Sequence, residues 1–194
     1  MLIASAPMRA EDDRAMVKGY ALMSYLDALR ARPTLAGRVM RELEARRPES
    51  HRFFAGEVYA NQWYPRAEMH SLFDAMTAVV GDGDDEFRGL GARAAEFQIG
   101  RIYRVFLAFA TPALVFQRAE SIWDKQTTAG RFRVVHAADD HLVGELDDPT
   151  APTKLPLVMA GWSDRVVMML RRRPTPTVVT PLGAGRHRFR VAWT

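Results

Sequence analysis

Cysteine is absent from the 194 residues, which removes disulfides, thiolate catalysis, zinc ribbons and cysteine-ligated iron–sulfur clusters. Lysine is scarce. Lys18, Lys125 and Lys154 are the only ones, so 24 of the 27 basic residues are arginine, and the net charge is +4. Planar guanidinium groups meet carboxylates and phosphates in bidentate pairs, so acidic partners are allowed, although a coding bias toward arginine explains the composition at least as well. No run reaches the roughly 18 uninterrupted apolar residues of a membrane span, and the apolar stretch within Met1 to Ala10 is too short for a signal peptide. The expectation is a soluble, cytoplasmic protein. His-Glu-x-x-His, Gly-x-Ser-x-Gly and phosphate-loop patterns are missing, and His51, His70, His136, His141 and His187 form no pair at metal spacing. With no catalytic constellation in view, the chain is read as not an enzyme and as binding no metal.

What is present is organised around Glu86 to Gln126. Phe87, Leu90, Ala94, Ile99, Ile102, Val105, Phe106 and Phe109 recur near helical spacing. Gly89, Gly91, Ala92, Ala94, Ala95 and Gly100 crowd the first half, where small residues let a neighbouring backbone come close at a cost of roughly 1 kcal/mol per glycine. Thr111-Pro112 reads as an N-cap and first helical residue, so a second helix follows and ends near Trp123. Upstream, the spacing predicts helix one through Met16, Tyr20, Met23, Leu26 and Leu29, and a second from Pro33. A third runs from Pro48 through Phe53, Phe54, Val58 and Tyr59, and a fourth, through Met69 to Val80, follows an aromatic corner at Trp63-Tyr64-Pro65. Downstream, Arg131 to Ala137 alternates, with Phe132, Val134 and His136 on one face, and His141 to Asp147 pairs with it as a hairpin. A helix over Pro152 to Arg172 and strands over Thr175 to Thr180 and Arg186 to Trp193 complete the chain. The fold class is α+β, N-terminal helices on one face of a four-stranded antiparallel sheet, in the order helices, strand, strand, helix, strand, strand. Residues 1–10 are expected to be a flexible N-terminus and 11–194 a single domain.

Val17-Lys18-Gly19-Tyr20, Trp63-Tyr64-Pro65, Leu90-Gly91, Thr111-Pro112, Ile122-Trp123, Ala160-Gly161-Trp162 and the closing Phe189-Arg190-Val191-Ala192-Trp193, in this order over nearly the whole chain, resemble a myxobacterial family of unknown function. That family is similar to the haem nitric-oxide-binding, vinyl-reductase-like and TRAPP-subunit group. The resemblance implies a domain that encloses a hydrophobic ligand and acts as a sensor or an assembly module. The haem-binding branch has a proximal histidine on a helix and a Tyr-x-Ser-x-Arg motif for the propionates. No such motif follows Tyr20, Tyr25, Tyr59, Tyr64 or Tyr103, so the expectation is no cofactor, haem included.

Arg101 and Arg104 share a stripe with Phe97 and Ala108, an arrangement able to hold an anionic head group while aromatic walls hold its tail. Solvent exposure, or pairing with Glu96 or Glu120, explains the stripe more simply. The candidate pocket is Phe97, Arg101, Arg104, Phe106 and Trp123, with roughly 300 Å3 or more of space between Glu86–Gln126 and the sheet. The acidic run Gly81 to Glu86 fits a helix N-terminus better than a calcium loop. Alternation places Arg131, Arg133, Arg186, Arg188 and Arg190 on the outer sheet face, partly balanced by Glu145 and Asp147, as a surface for an acidic protein, nucleic acid or phosphate. Exposed aromatics for base stacking are missing, so no specific nucleic-acid signature is present. The leading reading is a non-enzymatic sensing or signalling domain for a hydrophobic or anionic small molecule. The alternative is a protein-interaction or assembly module with a filled core, working as a homodimer.

Overall fold

The structure is a computed structural model that describes residues 14–100 and 110–194. The expected flexible N-terminus and the second half of the central helix lie outside these residues. The described elements are β1 (Met16–Lys18), α1 (Gly19–Arg30), α2 (Pro33–Arg46), α3 (Pro48–Ala55), β2 (Trp63–Pro65), α4 (Arg66–Val80), α5 (Asp84–Gly100), α6 (Pro112–Phe116), α7 (Ala119–Gln126), β3 (Arg131–Ala137), β4 (His141–Asp147), α8 (Leu155–Met169), β5 (Pro174–Gly183) and β6 (Arg186–Trp193). The α+β expectation holds, with an antiparallel sheet in the order β3-β4-β6-β5.

Local differences from the sequence reading have identifiable causes. Met16 lies on a strand, because Tyr64, held extended before Pro65, pairs with Val17 in a two-stranded sheet. The third helix stops at Ala55 before Gly56, leaving Val58 and Tyr59 beyond it. Thr111 caps as expected, its hydroxyl accepting from Leu114 N–H at 3.3 Å, but the helix that follows breaks into α6 and α7. A bulge between Val134 and His136 turns His136, expected on the inner face, outward, and it is exposed.

Helix α8 lies on the inner sheet face against β5 and β6, α7 lies against β3, and α5 packs on α8 with α1 behind it. The α5–α8 crossing is close. A Cβ at Gly91 would run into the Val158 carbonyl, and one at Gly161 into the Arg88 carbonyl, so the small residues of α5 serve the approach the sequence suggested. Phe73, Phe87, Leu22, Leu72 and Met76 fill the core on the α1 side of this contact. Val166, Val167, Val191 and Trp193 fill it on the sheet side. Thr177 of β5, buried, donates to Asp164 of α8 through its N–H (2.8 Å) and hydroxyl (2.6 Å), and Arg88 of α5 donates to the Thr177 carbonyl at 3.0 Å, tying three elements together. Arg66 and Asp148 are 1% and 0% exposed at their side chains and form a fork-on-fork ion pair, which joins the start of α4 to the end of β4. At one sheet edge β5 carries Pro174, Pro176 and Pro181; at the other, the Glu120 carboxylate of α7 accepts from Val134 N–H of β3 at 2.7 Å.

Replacing Gly91 with Ala is expected to cost about 1–3 kcal/mol in urea unfolding, because the opposing atom is backbone and cannot step aside. Gly89→Ala should stay within about 1 kcal/mol of the parent, since its nearest neighbour, at 2.9 Å, is the mobile end of Arg32 and alanine favours the helix. Equal costs at the two positions would show that backbone contact does not set the α5–α8 distance.

Candidate functional site

Two adjoining cavities flank Trp162. The first has a volume of about 110 Å3 and lies between the helices and the sheet, walled by Phe116, Trp123, Met159, Phe132, Phe189 and Val191. It is where a pocket was expected and is smaller than expected, because α8 and its aromatic neighbours occupy most of that space. The second, about 670 Å3, lies on the other side of Trp162, between β1, the start of α1, the end of α5 and α6–α7. Gln98, Ile122, Gln126 and Trp162 border both.

Gln98, on α5 and buried, fixes the partition. Its amide oxygen accepts from Trp162 Nε1 (3.0 Å), its amide nitrogen donates to Ser24 Oγ (3.0 Å), and its backbone carbonyl accepts from the Tyr20 hydroxyl (2.7 Å). These bonds satisfy an amide that burial would otherwise penalise, and they hold the Trp162 indole edge-on to α5.

The two cavities differ in charge. Lys18, Arg118 and Lys125 line the larger, and its described lining contains no carboxylate. Lys18 Nζ also sits 4.4 Å from the centre of the Trp63 ring, which keeps the ammonium at the rim by a cation–π contact. The smaller cavity is apolar apart from Gln98, Gln126, Ser163 and Tyr25. The indole N–H of Trp123 is buried with no hydrogen-bond partner among the described residues, a position that favours an incoming acceptor.

Of the expected pocket residues, Trp123 lines the smaller cavity. Phe97 packs on Tyr20 with ring centres 5.6 Å apart, and Tyr20 lines the larger. Arg101, Arg104 and Phe106 lie outside the described residues. Glu96 and Glu120, weighed as their partners, are engaged by Arg165 (2.5 Å) and by Val134 N–H. Gln98, Lys18, Arg118 and Lys125 were missed. A glutamine within an apolar helix and two of only three lysines were the available signals. Arg131, Arg133, Arg186, Arg188 and Arg190 are all exposed.

No protein-family model matches the sequence, and no curated protein matches it. Solved structures do. The Fe(II) unliganded H-NOX protein of K. algicida superposes with a TM-score of 0.67 over 91% of this chain and 96% of its own, at 12% identity. The fold is that of H-NOX domains. An oxygen-binding H-NOX domain related to soluble guanylate cyclases gives 0.64 over 91% and 95%, at 11% identity. A protein whose haem redox potential is modulated through porphyrin distortion gives 0.64 over 91% and 99%, at 12%. The oxygen-binding neighbour is a ligand-binding domain, in keeping with the expectation that the chain is not an enzyme.

The expectation of no cofactor is corrected by the same finding, since the H-NOX fold is one that carries haem in its neighbours. Haem asks for an apolar slot, cations for two carboxylates, and an iron ligand. The larger cavity fits the first two requirements through its 670 Å3, Tyr20, Ile99, Val115 and Trp162, and through Lys18, Arg118 and Lys125. A histidine bond to iron does not fit. None of the described lining residues is a histidine, and the sequence from Arg101 to Phe109 contains none. Among the described residues no group of three or more His, Asp or Glu is placed to hold a metal, and no helix is long and apolar enough to cross a membrane.

Burial pushes the phenol of Tyr25, at the cavity wall, up to about 12, with Arg66 opposing the shift. The folded state favours the neutral phenol, so its contribution is complete below the ordinary tyrosine value near 10 and is lost as pH rises from there through about 12. Stability curves should fall by about 2 kcal/mol over that window through this residue. In Tyr25→Phe this part of the fall should be missing; an unchanged alkaline limb would place the loss elsewhere.

Proposed function

We propose that this chain, read as one domain over residues 11–194, is a non-enzymatic sensing domain whose ligand is an apolar body with negatively charged ends. The observation that carries this reading is the 670 Å3 cavity whose described lining holds three cations and no carboxylate. Lys18, Arg118 and Lys125 hold the anionic end, Trp162 and Ile99 border the body, and the Trp123 N–H serves an acceptor that reaches the inner compartment. Haem, or another tetrapyrrole dicarboxylate, belongs to this class and agrees with the ligand of the fold's neighbours; its iron would supply redox and gas-binding chemistry. Kinship with the myxobacterial group is part of the same proposal. The small volume on the sheet side favours a second reading, an assembly module whose sheet-side core is filled.

Titration with haemin and with metal-free protoporphyrin, followed by absorbance and native mass spectrometry, tests the reading. Both should bind saturably with one ligand per chain and similar affinity, because charge and apolar contact rather than a histidine–iron bond hold them. Reversing Lys18, Arg118 and Lys125 together to Glu should weaken both by at least about tenfold, the equivalent of one charged hydrogen bond. Saturable binding of neither ligand, nor of a long-chain fatty acid, would leave the assembly module as the surviving reading.

A further inference from the structure

The strands that wall the inner cavity also build a charged outer surface. Phe132, Leu142, Phe189 and Val191 face the cavity, and alternate residues of the same strands face out. Across β3, β4 and β6 the outward residues form two rows of the same kind, Arg131–Asp147–Arg186 and Arg133–Glu145–Arg188. In each, one carboxylate lies between two guanidinium groups. Glu145 takes both Nε (3.0 Å) and Nη2 (2.7 Å) of Arg188, while Asp147 stands 3.9 Å from Arg186 Nε. A third row, Val143–Arg190–Val178, has no carboxylate. Asp140 is hydrogen-bonded to His141 Nδ1 at 2.7 Å, the main cause that holds its carboxyl below the usual value, with Arg190 a lesser one. Arg131, Arg133 and Arg190 therefore have no ion-pair partner among the described residues, and Val178, 55% exposed, lies beside the last of them.

Like charges facing one another across a sheet destabilise it unless something offsets them, and here the internal carboxylates offset only two of five. We propose that this face docks an acidic protein segment, its carboxylates over Arg131, Arg133 and Arg190 and its aliphatic side chains over Val143 and Val178. A second copy of the chain is a poor occupant, since two net-positive faces repel. Nucleic acid lacks the stacking platforms it uses, because the large apolar side chain exposed in the third row is a valine. The partner sits one strand's thickness from the cavity, where Phe132 and Phe189 alternate with Arg131, Arg133, Arg188 and Arg190. The surface stands on its charges alone and does not depend on the cavity being filled.

The probe is a fluorescent peptide of alternating Glu and Val, titrated against the full chain at low and at physiological salt. Binding should weaken with salt, and Arg133→Glu/Arg190→Glu should reduce it by about tenfold or more at unchanged melting temperature, since both side chains are exposed and unpaired. The control Arg41→Glu/Arg52→Glu, which makes the same change in net charge on exposed positions of α2 and α3, should alter binding by less than about twofold. Should the first variant fold poorly, Arg133→Gln/Arg190→Gln should give a smaller loss in the same direction. Equal losses in variant and control, absence of peptide binding, or binding of duplex DNA or phosphatidylserine vesicles in place of the peptide would each overturn the proposal.

Discussion

The close approach of α5 and α8 is the constraint on which the other parts depend. Gly91 and Gly161 each present bare backbone to the opposite helix, and packing interiors tolerate no alternative spacing at that density. At this spacing Trp162 of α8 reaches Gln98 of α5, and Asp164 reaches both Arg88 and Thr177. One helix contact therefore sets the partition between the cavities and the seating of β5. The buried Arg66–Asp148 pair closes the structure on the other side. Both charges are fully desolvated, so the bidentate geometry and the Thr150 hydroxyl and N–H on Asp148 have to offset a solvation cost that an unpaired ion would leave standing.

The two cavities divide the work chemically. A cationic chamber faces the β1 side and an apolar chamber faces the sheet, and a satisfied glutamine stands between them. Under the proposed function, charge at one end and aromatic walls at the other would orient an amphipathic molecule without any covalent or metal bond. The described lining of neither cavity contains a histidine; the five lie on α3, α4, β3, β4 and β6.

Much of the fold was legible because local chemistry and tertiary packing agreed. Thr111 capped where its hydroxyl suggested, proline opened α2 and α3, and the period-two alternation of Arg186 to Trp193 put Phe189 and Val191 inside. Failures came where a distant partner overruled local spacing. Met16 has helical neighbours in sequence, but Val17 finds Tyr64 across a strand. His136 follows the alternation, but an extra residue at Val135 turns it outward. The site was less legible than the fold. Trp123 was visible as a large aromatic, whereas Lys18 meets Arg118 and Lys125, at the two ends of α7, only through the contact of β1 with the α7 region. No spacing rule encodes that meeting.

The two edges of the sheet bear on the protein's behaviour in a crowded solution. Open strand edges recruit other chains by hydrogen bonding, the first step toward fibrils. On β5, Pro174, Pro176 and Pro181 remove three backbone donors from a strand that, among the described residues, pairs only to β6. On β3, Glu120 occupies the Val134 N–H and the bulge beside it bends the rest of the strand. Neither edge offers an unbroken ladder, so the domain can be abundant without polymerising through its sheet.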